Sequence, residues 1–189
     1  MEKKIREKIL ITAFEPFGGK RENASCRVLR DLPERIGGFD VRRMVLPVVF
    51  GKAAETAETE GCAAVFLLGE AGRDRVTPET TARNRRDARI QDNEGNQPKD
   101  EAILSGGPEE YHTAVSAGTI VRRMQEEGYP IALSDDAGAF VCNDTFYLVG
   151  TGNTVPVEFI HVPAEMTDRT TDTVHRFIEL AMTEYRALS

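Results

Sequence analysis

"CAAVFLLG" (residues 62–69) is an unbroken apolar run of strand length. A half-buried strand would alternate apolar with polar residues, and this one does not. Such runs belong to strands covered on both faces, as in a parallel sheet packed between helices. Upstream, "KILITAF" (8–14) is a second β-rich run, ending in the Pro/Gly loop "EPFGGK". Between the two, "SCRVLRDLPERI" (25–36) has helical spacing shortened by Pro33. "DVRRMVLPVVF" (40–50) reads as a strand stopped at Pro47, and "GKAAETAETEG" (51–61) as a helix closed by Gly61.

Downstream, residues 70–110 read as irregular, acidic and glycine-rich. A connection of that length in a compact domain is functional or disordered. "TAVSAGTIVRRMQEEG" (113–128) is an amphipathic helix, "PIALS" (130–134) a strand and "AFVCNDTFYLVG" (139–150) an apolar helix. "VEFIHVP" (157–163) is another strand. The closing helix (169–188) sets Val174, Phe177, Ile178, Ala181 and Met182 on one face. Alternating strands and helices predict an α/β fold: one domain over residues 1–189, with a mainly parallel twisted sheet and helices on both faces.

At 189 residues the chain suits one substantial core. A net charge of −7 and a pI near 5.1 exclude a concentrated basic face, so no nucleic-acid partner is expected. The arginines of "RNRRDAR" (83–89) lie between acidic residues and read as a solvated or loop-anchoring cluster. No apolar run approaches the ~20 residues that span a bilayer, so no membrane partner is expected. The start "MEKKIREKIL" lacks the apolar core of a secretory signal. Cys26, Cys62 and Cys142 show no CxxC spacing, and His112, His161 and His175 no HxxxH pair. Neither a disulfide framework nor a metal site is expected, and the reading is of a reduced, cytoplasmic protein without cofactor.

In open α/β sheets, sites gather beyond the carboxyl ends of the strands. There the expected strands deliver "FEPFGG", "GEAGRDRVTPE", "DDAGAFVC" and His161. Cys142 falls in the first turn of its helix, where free N–H groups and the helix dipole favour a thiolate. His161 could take the thiol proton, and Glu79 could orient the imidazole. By residue type alone, the alternatives stay open: an inert buried thiol, a satisfied histidine, one loop carboxylate among several. Cys26 and Cys62 read as structural. No G-x-G-x-x-G, G-x-x-x-x-G-K-[ST] or G-x-S-x-G motif is present.

"ILITAFEPFGG" (9–19), "DARIQDNEGNQPKDE" (87–101), "AGAFVCN" (137–143) and "FIHVP" (159–163) resemble, in the same order, the pyroglutamyl-peptidase I family. That resemblance implies a cysteine peptidase of α/β fold that removes an N-terminal pyroglutamate from peptides. It implies a homotetramer without metal or organic cofactor. Cys142, His161 and Glu79 match the family's triad. Phe14 and Phe17 match the phenylalanines that enclose the ring, and Asn23, Ile90, Phe140 and Val141 fall at or near other pocket positions. Arg89 matches an arginine near the reacting carbonyl. Pyroglutamate is a flat lactam whose nitrogen cannot be protonated, so its site needs apolar faces and a few fixed donors and acceptors.

The chain also departs from the family pattern. "GEAGR" (69–73) is one glycine short, and Glu70 stands where a neutral residue, often glutamine, is usual. Thr80 replaces a basic residue, and Asp135 and Asp136 replace neutral or hydroxyl residues. A carboxylate near Cys142 would disfavour the thiolate, whereas Asp136 as an N-cap would stabilise the helix bearing it. The alternative to an active peptidase is therefore an impaired or redirected homologue that binds a related ligand without turnover.

Overall fold

A computed structural model describes residues 7–188; the charged start, residues 1–6, lies outside the described residues. The apolar run 62–69 lies in β4 (Cys62–Ala71), at the centre of the sheet. β1 (Lys8–Phe14) and β8 (Val157–Pro163) flank it in parallel, and β3 (Phe39–Leu46) extends the parallel set beyond β1. Antiparallel edges close both sides, β2 (Arg35–Ile36) against β3 and β5 (Thr77–Glu79) against β8. Among the described residues the order is β2-β3-β1-β4-β8-β5, with a separate pair of β6 (Thr81–Arg83) and β7 (Glu110–His112).

Both faces are covered, as the apolar run required. Ile9, Ile11, Phe66 and Ile160 point to the layer of α1 (Ala24–Asp31), α3 (Ala117–Glu126) and α5 (Thr170–Leu188). Leu10, Phe14, Val65, Leu67 and Phe159 point to α2 (Lys52–Thr56) and α4 (Val141–Gly152). Under α5, Glu158 of β8 is fully buried and accepts from the Tyr185 hydroxyl.

The local departures from expectation have physical causes. Helix 25–36 ends at Asp31, because Pro33 holds Leu32 extended (φ −64°, ψ 148°); beyond it Gly37 and Gly38 take positive φ (56° and 89°) and fold β2 back on β3 as a two-residue hairpin. Helix 51–61 shrinks to Lys52–Thr56; Glu58 and Glu60 would have put negative charge at its C-terminal end. Segment 130–134 is no strand: Pro130 offers no N–H, and only isolated bridges form, Val76 with Ile131 and Glu79 with Ser134. Residues 70–110 are not irregular throughout, since they hold β5, β6 and the start of β7. Asp92 organises their middle, accepting from the backbone N–H of Phe50, Glu94 and Asn96 at 3.1, 2.9 and 2.8 Å. The loop-anchoring reading of the arginine cluster holds: Arg86 bonds Asp144 at 2.6 Å, and Arg83 reaches the Asp135 carbonyl at 2.8 Å.

Candidate active site

The carboxyl ends of β1, β4 and β8 open onto one small cavity of about 140 Å³. β1 brings Phe14. Past it, Gly18 and Gly19 both take positive φ (61° and 76°), turning the loop so that Phe17 and Asn23 come back to the rim. Asn23 is buried as the N-cap of α1, accepting from Ser25 N–H at 3.0 Å. β4 carries Gly69 and Glu70 near its carboxyl end, and Glu70 lines the cavity. Its carboxylate accepts from Ala24 N–H at 2.8 Å and pairs with the Lys20 ammonium.

α4 brings Phe140, Val141 and Cys142 to the same cavity. Gly138, at φ 82°, makes the turn into the helix, and Asp136 spans that turn by accepting from Gly138 N–H at 3.0 Å. Asp136 is therefore not the N-cap; Phe140 holds that position, with no side-chain cap bond. Phe140 is held edge-on by Phe50 at 5.3 Å and leans on Phe17 at 6.1 Å. Gly69 lets α4 approach the sheet, since a β-carbon there would lie 2.8 Å from Cys142 Sγ and 2.7 Å from the Phe159 ring.

Two residues beyond Phe159, His161 puts its ring 4.8 Å from the Phe159 ring and its Nδ1 2.6 Å from Glu79 Oε1. The antiparallel pairing of β5 with β8 places Glu79 opposite Phe159 and Thr77 opposite His161. Glu79 is fully buried, and Arg73 reaches the same oxygen at 2.8 Å. Arg73, which sequence reasoning passed over, thus joins the Glu79–His161 pair. It ends the "GEAGR" segment, so the missing glycine does not keep the guanidinium from Glu79.

The charge environment of Cys142 reverses one expectation. Burial, and then the Glu79 and Glu70 carboxylates, push its thiol up to about 12, with Arg73 pulling the other way. The helix N-terminus does not by itself yield a resting thiolate. Asp135 and Asp136 are not the source of the pressure: Asp136 is largely exposed and faces Arg83 at 3.7 Å, and Asp135 meets Arg83 through its carbonyl.

The cavity thus gathers eight of the residues expected from sequence: Phe14, Phe17, Asn23, Glu70, Phe140, Val141, Cys142 and His161. Glu79 stands directly behind His161. Val48 and Ala137 line it too and were not foreseen, Val48 following Pro47 at the end of β3. Arg89 and Ile90 do not line it. Both are exposed and border a neighbouring, wider cleft that shares Phe140. Among the described residues no cluster of side chains is arranged to hold a metal ion, and no helix is long and apolar enough to cross a membrane.

Comparison with known proteins gives the same picture. The family model described as pyroglutamyl peptidase matches residues 7–177. Pyrrolidone-carboxylate peptidase 1 of Streptococcus pneumoniae is 41% identical over 145 residues, covering 74% of this chain and 68% of that protein. A Clostridium perfringens pyrrolidone-carboxylate peptidase is 40% identical over 166 residues, covering 82% and 78%. Among solved structures, Bacillus amyloliquefaciens pyroglutamyl peptidase I superposes with a TM-score of 0.86 at 31% identity, covering 95% of this chain and 98% of that one. Pyrococcus furiosus pyrrolidone carboxyl peptidase gives 0.84 at 35%, covering 94% and 99%. The chain belongs to the pyroglutamyl peptidase family, cysteine hydrolases that release an N-terminal pyroglutamyl residue from peptides.

Proposed function

We propose that Cys142 attacks the carbonyl of an N-terminal pyroglutamyl residue while His161 takes its proton and Glu79 holds the imidazole. The observation that carries this reading is the 2.6 Å contact between His161 Nδ1 and the buried Glu79, with Cys142 and His161 on one apolar cavity. Glu79 accepting from Nδ1–H leaves Nε2 as the basic nitrogen, the tautomer that attack requires. Burial and the neighbouring carboxylates disfavour the thiolate, so the thiol proton has to pass to His161 for the sulfur to attack. Departure of the peptide amine takes the proton back from His161, and water then releases pyroglutamate from the thioester.

The developing oxyanion needs fixed donors. The first backbone bond into α4 is from Asp144 N–H to the Phe140 carbonyl, so the N–H groups of Cys142 and Asn143 are free to serve. This first turn, rather than Arg89, is the oxyanion site. Phe14, Phe17 and Phe140 supply the apolar walls for the ring, and the cavity's small volume favours a five-membered ring over a longer side chain.

A fluorogenic pyroglutamyl–aminocoumarin substrate tests the assignment. The wild-type protein is expected to turn it over between pH 6 and 9. Cys142→Ser is expected to abolish turnover and Cys62→Ser to retain it; silence of the wild type or activity of Cys142→Ser overturns the reading. The same reading includes a cytoplasmic homotetramer acting on peptides, and the protomer number is measured by light scattering.

A further inference from the structure

Glu70 is the charged residue that lines the ring cavity alongside the nucleophile, and its side chain is only 5% exposed. A carboxylate accepts hydrogen bonds and cannot donate them, with about four lone-pair positions. One is taken by Ala24 N–H and one by the Lys20 ammonium, which leaves acceptor capacity for a ligand. The Lys20 ammonium makes no other bond among the described residues, so two of its three N–H donors are uncommitted. A five-membered lactam is a cis amide, and its N–H and C=O lie side by side on one edge. Lys20 is half exposed and does not itself line the cavity, but its ammonium is bonded to the lining Glu70 carboxylate, so the pair sets an acceptor and a donor side by side.

We propose that the Lys20–Glu70 ion pair reads the amide edge of the pyroglutamyl ring, Glu70 accepting from the lactam N–H and Lys20 donating to the lactam carbonyl. This rests on the pyroglutamyl reading and adds to it a specificity residue, Lys20, in the loop after β1. It also gives the charge at position 70 a reason. A single glutamine amide carries both a donor and an acceptor, whereas a glutamate supplies only half the code and needs an ammonium for the rest. The pairing matters for the nucleophile as well. The charged and titratable groups facing Cys142 are Glu70 on β4, Glu79 on β5, His161 on β8 and Arg73 after β4. Lys20 keeps the first of these from acting as an uncompensated anion in the cavity.

The test is a set of variants, Lys20→Met, Lys20→Arg, Glu70→Gln and Lys20→Met/Glu70→Gln, each assayed two ways. The first is steady-state turnover of the fluorogenic pyroglutamyl substrate. The second needs no turnover: protection of Cys142 against iodoacetamide by 2-pyrrolidone, which is the bare ring. Losing one charge-assisted hydrogen bond is expected to raise KM and weaken 2-pyrrolidone protection at least about fivefold in Lys20→Met, with kcat within about threefold. Lys20→Arg is expected to restore most of the loss. The double variant is expected to bind better than Lys20→Met alone, because the glutamine amide reads both groups unaided. A purely structural role for Lys20 would lower the melting temperature without moving KM apart from kcat. Smaller effects than these in Lys20→Met, or a double variant no better than the single one, overturn the proposal. If the wild type fails to turn over substrate while the protection pattern holds, the functional reading falls and the ring-reading pair stands.

Discussion

Gly69→Ala places one methyl group between the sheet and the nucleophile, and the structure says how far things must move. The new carbon would lie 2.8 Å from Cys142 Sγ and 2.7 Å from Phe159 Cζ, where ordinary contact begins at 3.4 Å. One side must therefore give by about 0.6 Å or more. Phe159 is fully buried between Phe146 and His161 and has nowhere to retreat. α4 is equally fixed. Asn143 donates to the carbonyls of Arg83 and Arg85 and accepts from Arg83 N–H, while Asp144 holds Arg86 and Gly51 N–H. The strain must be shared between the thiol and the His161 ring. A misplacement near 1 Å costs about 10²-fold in rate, and overpacking of this kind costs roughly 1–3 kcal/mol of stability. The expected result is a kcat/KM about two orders of magnitude below wild type, mostly in kcat, with a melting temperature lower by about 2–10 °C. Gly72→Ala is the control, because nothing lies within 4 Å of its new carbon. A folded Gly69→Ala enzyme within about threefold of wild type would refute the geometry argued for the nucleophile.

Two further outcomes concern pH. With burial, Glu79 and Glu70 pushing the Cys142 thiol up, its alkylation by iodoacetamide is expected to rise steeply only above the free-thiol value of ~8.5. Glu70→Gln is expected to lower that half-point by up to about one unit, and a wild-type half-point below pH 8 would show that the helix N-terminus dominates after all. Glu158 acts on stability instead. Burial raises its carboxyl from 4.5 to about 7. The folded protein therefore holds a proton there that the unfolded chain has lost, so stability is greatest below the unfolded value and falls as pH rises through about 7. The loss approaches roughly 3 kcal/mol at pH 8. Urea titrations of Glu158→Gln are expected to show a flatter pH dependence between 5 and 8, and an unchanged slope would refute the buried charge as its cause.

The central strands and longer helices were legible because apolar periodicity records burial, and β1, β4, β8 and α5 are buried along most of their length. What escaped was short or set by partners. β5, β6 and β7 have three residues each, too few for any period to emerge. Segment 130–134 has strand composition, but its neighbour β5 is short, and only two bridges form, one from Glu79 and one from Val76 just before β5. At the site, motif resemblance placed Cys142, His161 and Glu79 in the chain, and the pairing of β5 with β8 explains why residues 79 and 161 meet. Asp135 and Asp136 drew attention by lying close to Cys142 in sequence. The helix turn aims them away, toward Arg83, while the carboxylates that act on the thiol arrive from β4 and β5. Arg73 closes the "GEAGR" segment two residues beyond β4, where the missing glycine drew more notice than the arginine. Arg89 and Ile90 fall outside the ring cavity because the chain leads them along the outer side of Phe140.

The bonds from Asn143 and Asp144 to residues 83–86 have a consequence for how the enzyme ages. The histidine and its carboxylate sit on paired strands and share the fate of the sheet; the cysteine's helix packs on that sheet through Phe146 and Val149, but its first turn is also tied to the outer excursion of residues 83–86. Excursions of that kind open at lower free energy than a central sheet. Release of that outer segment would free the first turn of α4 while the sheet stays folded, so activity is expected to fall before the far-UV signal of the fold does.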